Sequence, residues 1–64
     1  MIIKTLRKKR GWSQDHLATL SGLSLRTIQR VEAGHAASME TINSLSSVFE
    51  TDITKLTEEI DVID

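Results

Sequence analysis

Ser13-Gln14-Asp15-His16-Leu17-Ala18-Thr19-Leu20-Ser21-Gly22-Leu23-Ser24-Leu25-Arg26-Thr27-Ile28-Gln29-Arg30-Val31-Glu32 is the stretch that decides the fold of this 64-residue chain. It reads as two short helices around a reversal at Gly22. Ser13 and Ser24 each precede an apolar-periodic segment, where a side-chain oxygen caps the first free N–H groups of a helix. Gly22 sits where the backbone must reverse and a positive φ is easiest. Ala18 falls where the two helices cross, and its small side chain lets their backbones approach. Leu17, Leu20, Leu23, Ile28 and Val31 supply the apolar faces that close the pair.

Outward from this pair the pattern stays helical. Residues 2–10 form a first helix with Ile3 and Leu6 inward, and Gly11 is its left-handed cap. Lys8, Lys9 and Arg10 fall in its last turn, where cations suit the negative end of the helix dipole. The third helix runs to Ala33 and stops at Gly34. Ser38 caps a fourth over 39–49, in which Ile42, Leu45, Val48 and Phe49 keep the spacing of a buried stripe. Asp52 caps a fifth, with Ile53 and Leu56 inward. The expected architecture is all-α: five helices in one domain over residues 1–64, with no strand pattern and no repeat. The expected core is Ile3, Leu6, Leu17, Ala18, Leu20, Ile28, Val31, Ile42, Leu45, Val48, Phe49, Ile53 and Leu56.

Composition bounds the function. A domain this small buries only about 60% of its unfolded surface, so its core must be compact. Trp12 and Phe49 are the whole aromatic content, which leaves the core to aliphatic residues. Cysteine is absent, so no disulfide or cysteine metal site is available, and no cofactor is expected. Nothing resembles a secretory leader or a membrane span, and a cytoplasmic place is expected. The net charge of −1 conceals a polar split. Residues 1–35 carry Lys4, Arg7, Lys8, Lys9, Arg10, Arg26 and Arg30 against Asp15 and Glu32. Residues 36–64 carry Lys55 alone against Glu40, Glu50, Asp52, Glu58, Glu59, Asp61 and Asp64. One cationic and one anionic half let a protein approach a polyanion in a preferred orientation.

On a wheel of about 100° per residue, Leu25, Arg26, Gln29, Arg30 and Ala33 share an arc of about 140°, opposite Ile28 and Val31. One face must be buried, and the other presents two guanidiniums and an amide. A guanidinium fork matches the O6 and N7 acceptors of guanine, a glutamine amide matches adenine, and Leu25 can meet a thymine methyl. Such a face is suited to the major groove of double-stranded DNA.

The series Leu-Arg at 6–7, Arg-Gly-Trp-Ser-Gln at 10–14, Leu-Ala at 17–18, Ser-Gly-Leu-Ser at 21–24, then Ile28, Val31-Glu32 and Gly34, has many fixed spacings. It resembles the helix-turn-helix of lambda-type repressors and the Xre family, from about Leu6 to Leu56. The resemblance implies a phosphate contact at Gln14, base contacts at Leu25, Arg26 and Arg30 with Gln29 nearby, and further phosphate contacts at Ser24 and from His35 to Ser38. It also implies a structural ion pair between Arg7 and Glu32. The chain departs from relatives that carry glutamines where Leu25 and Arg26 stand, so their operators do not transfer. Ala33 replaces a phosphate-binding asparagine of some relatives.

Other signals stay below the level of a site. Asp15 and His16 are sequence neighbours that diverge by about 100° on a helix, which is no catalytic dyad. Two isolated histidines without cysteine match no metal-ligand spacing. No catalytic residues and no enzymatic activity are expected. Glu58, Glu59, Asp61 and Asp64 read as a solvated tail. Ile53, Leu56, Ile60 and Ile63 are spaced 3, 4 and 3, a heptad-like seam if the fifth helix continues. Residues 57–64 are therefore either a dimerisation extension or a frayed end, and pairing is the preferred reading. The expected function is a sequence-specific DNA-binding regulator, a repressor acting as a homodimer on a palindrome. The alternatives are an antitoxin-like or anti-regulator module whose acidic half binds a protein, and the DNA-binding segment of a longer regulator.

Overall fold

In the computed structural model, which describes residues 2–63, capping residues set the helix boundaries. The order is α1 (Ile2–Lys9), α2 (Gln14–Ser21), α3 (Leu25–Glu32), β1 (Ala37–Ser38), α4 (Met39–Phe49), α5 (Ile53–Thr57) and β2 (Val62–Ile63). Asp64 of the acidic tail lies outside the described residues. Ser13, Ser24 and Ser38 are N-caps whose hydroxyls accept from the backbone N–H groups of His16, Thr27 and Thr41. The Asp52 carboxylate does the same for Thr54 at the head of α5. Each cap satisfies a donor that helix geometry leaves without a partner. Gly22 takes the left-handed conformation at φ 72°, which turns the chain from α2 toward α3. At the end of α4 a non-glycine does this work: Glu50 sits at φ 50°.

Five helices surround one apolar core of Ile3, Leu17, Ala18, Ile28, Val31, Ala37, Ile42, Leu45, Phe49, Leu56 and Ile60. Leu6, Val48 and Ile53 are only partly buried against it, together with Ile2, Trp12 and Leu23. Leu20, expected inside, is 47% exposed. The inward stripe of α2 is Gln14, Leu17, Ala18 and Ser21, the i, i+3, i+4, i+7 positions of one face, and Leu20 lies off it. Ser21 occupies the inward place because its hydroxyl donates to the Leu17 carbonyl at 2.8 Å, which satisfies it locally.

The expectation of no strands is corrected at two short segments. β1 and β2 pair in parallel, Ala37 opposite Val62 and Ser38 opposite Ile63. The fifth helix does not continue through Ile63. It ends at Thr57, and one further turn carries the Ile60 N–H to the Leu56 carbonyl at 2.8 Å. Ile60 is thereby driven into the core at 2% exposure. No helix among the described residues is long and apolar enough to cross a membrane.

Candidate nucleic-acid interface

Burial of Ile28 and Val31, at 0% and 2% exposure, fixes the rotation of α3 about its own axis. The opposite face then stands in solvent. Arg26, Gln29, Arg30, Ala33 and His35 line one shallow surface groove, and Leu25 lies exposed at its helix's first position. Among the described residues, the side chains of Arg26, Gln29 and Arg30 make no hydrogen bond or ion pair within the chain, so their donors are free for a ligand. Two guanidiniums and an amide on a helix held rigidly from behind form a face that is cationic and able to read planar acceptor pairs.

The arginines of α1 are committed elsewhere. Arg7 is buried, and its Nε donates to Glu32 Oε2 at 2.7 Å while its Nη2 donates to Glu32 Oε1 at 3.0 Å. Its remaining arm, Nη1, donates to the Trp12 carbonyl at 2.8 Å. This two-armed pair ties α1 to the end of α3. Burial alone would raise the pKa of Glu32, but the hydrogen bonds from Arg7 and Gln14 and the charges of Arg7 and Lys4 outweigh it and hold the carboxyl below its ordinary value. Arg10 donates from Nη2 to the Phe49 carbonyl at 2.8 Å and lies over the rings of Trp12 and Phe49, which stack 5.6 Å apart. A cation at the last carbonyls of α4 also suits that helix's dipole. In the basic run at 7–10, Lys8, Lys9 and Arg10 are all exposed, but Arg10 is engaged by Phe49 and the two rings, which leaves Lys8 and Lys9 as the charges that no contact described above commits.

The residues expected at phosphates are engaged to different degrees. Gln14 opens α2 half-buried, and its Nε2 donates to Glu32 Oε1 at 3.1 Å. Ser24 and Ser38 are exposed, but their hydroxyls already serve as caps and pair with the hydroxyls of Thr27 and Thr41. His35 is exposed beside the groove of α3. The four residues of the expected dimer seam do not share a face. Leu56 and Ile60 are buried within the chain, Ile53 is half-buried, and only Ile63, at 53% exposure, stands outward, near exposed Val62 and Met39 in sequence or pairing. The Gln14–Glu32 bond and the role of Arg10 had no local signal, because each joins residues far apart in sequence. No group of three or more His, Cys, Asp or Glu side chains that would hold a metal occurs among the described residues.

The helix-turn-helix family model matches residues 3–56, most of the chain. The chain belongs to this family, the lambda repressor-like or Xre helix-turn-helix proteins. No curated protein and no solved structure gives a match. This helix-turn-helix protein is thus a DNA-binding regulator, with α2 and α3 as the two helices of its motif. The matched span ends at Leu56, before the turn that buries Ile60 and the β2 strand.

Proposed function

We propose that the protein is a sequence-specific regulator of transcription that binds a palindromic operator as a homodimer and represses by occupying it. The observation that carries this reading is the contrast among its arginines. Arg7 and Arg10 are locked into the fold, whereas Arg26 and Arg30 stand free on the outward face of α3 with Gln29 between them. Arg26 and Arg30 would each fork onto a guanine, Gln29 onto an adenine, and Leu25 against a thymine methyl. Gln14, Ser24, His35 and Ser38 would meet phosphates and set the register. One such module reads few base pairs, so two copies presenting α3 about 34 Å apart give the affinity that an operator needs. Repression is the family-like outcome of the resemblance to lambda-type repressors.

Selection of bound sequences from a random duplex pool tests this reading. A consensus with dyad symmetry is expected, and an unenriched pool would sink it. A second reading, in which the chain docks another protein, draws on the acidic half and on exposed Val62, Ile63 and Met39. Retention of a protein partner by a chain that ignores every duplex would favour it.

A further inference from the structure

We infer that Glu32 is a positioning residue for Gln14, and that the buried ion pair extends its order to the DNA surface through this bond. The inference rests on the reading of Gln14 as a phosphate contact. Glu32 uses both oxygens: Oε2 accepts from Arg7 Nε at 2.7 Å, and Oε1 accepts from both Arg7 Nη2 at 3.0 Å and Gln14 Nε2 at 3.1 Å. An amide bonded to a carboxylate must offer its nitrogen, so the orientation of the Gln14 side chain is set by its partner. The amide is planar and carries two N–H groups, and anchoring one directs the other away from Glu32. That second N–H is the donor that a phosphate oxygen takes.

Two physical consequences make this arrangement useful. A glutamine loses much rotamer freedom when it is ordered, and here that loss is incurred on folding rather than on binding. A bare carboxylate this close to a phosphate would repel it, but the bidentate Arg7 neutralises Glu32. Arg7 also holds the Trp12 carbonyl at 2.8 Å, which steadies the backbone just ahead of Gln14. One guanidinium thus fixes both the lead into α2 and the group that orients its first side chain.

A mutant cycle on DNA binding tests the inference, with the full chain, a selected duplex and a random-sequence duplex of equal length. Gln14→Ala is expected to weaken both duplexes by about tenfold, the loss of one charge-assisted hydrogen bond. Glu32→Asp keeps the charge opposite Arg7 but draws the carboxylate back from Gln14. It is expected to weaken both duplexes several-fold in the parent chain and to change nothing in the Gln14→Ala background. Nitrogen relaxation of the Gln14 side-chain amide without DNA gives a second readout: ordered in the parent, mobile in Glu32→Asp. Equal losses in both backgrounds, or an amide equally ordered in Glu32→Asp, would overturn the inference while leaving DNA binding intact. A parent chain that binds neither duplex would overturn the functional reading and this inference with it.

Discussion

Ala37 lies opposite Val62 in a parallel pairing, and the Ala37 N–H donates to the Asp61 carbonyl at 2.8 Å. The far end of the chain is thereby fastened to the loop that leaves α3, and Ile60 is held in the core between α5 and that pairing. The tail is part of the domain's packing, and only its outward residues remain for a partner.

Ile60→Ala is accordingly expected to destabilise the fold by about 3 kcal/mol, as deletion of a buried branched side chain does. Ile63→Ser should change stability by less than about 0.5 kcal/mol, because its side chain already stands in water. Denaturant unfolding of the two variants makes the comparison. If the outward tail forms the dimer contact, Ile63→Ser should also lower affinity for a full palindrome more than for a half-site.

Arg26→Ala and Arg30→Ala should relax base preference at one position each, by roughly 1–3 kcal/mol of discrimination, and should barely affect stability. Among the described residues, neither side chain has a hydrogen-bond or ion-pair partner to lose. Arg10→Ala should show the opposite profile, with stability lost through its bond to Phe49 and its place over two rings. Binding titrations on single-base operator variants, beside thermal unfolding, separate the two classes.

Affinity for duplex DNA should fall steeply with salt. With Arg7 and Arg10 held by the fold, a dimer meeting about 4–8 phosphates gives a slope of log affinity against log salt of roughly −4 to −7. A flat titration would contradict a phosphate-led interface.

Acid should loosen the tie between α1 and α3. The Glu32 carboxyl is held below its ordinary range once the Arg7 and Gln14 bonds and the Arg7 and Lys4 charges have outweighed its burial. A depressed folded-state value contributes stability above the unfolded value, and that stability is lost as pH falls through the folded one. Asp52, lowered by the backbone and hydroxyl donors of Thr54, acts in the same direction. The melting temperature should therefore stay level from neutral pH to about 5 and decline below it. Glu32→Gln should start lower and decline less.

Glu50→Gly should raise stability by about 1 kcal/mol, since a left-handed φ of 50° costs an L side chain energy that glycine does not incur. The gain is readable as an increase in the unfolding midpoint with an unchanged denaturant slope.

The helices and their ends were legible along the chain because capping is local. Ser13, Ser24, Ser38 and Asp52 each act on an N–H two or three residues away, and Gly22 supplies its own φ. The outward face of α3 was legible for the same reason, since its periodicity is 3.6 residues whatever packs behind it. Contacts between distant segments were not. The apolar pattern pointed to Leu20, three residues from Leu17, rather than to polar Ser21 as the inward residue, and nothing local could tell that Arg10 caps α4 or that Gln14 leans on Glu32. The tail shows this most plainly: Ile53, Leu56, Ile60 and Ile63 carry a helical spacing, yet α5 ends at Thr57, where the chain turns to bury Ile60 in the core and the pairing of β2 with β1 gives the backbone beyond it new partners. Local hydrogen bonding determined the elements, and competition for one small core decided which of their side chains remained outside.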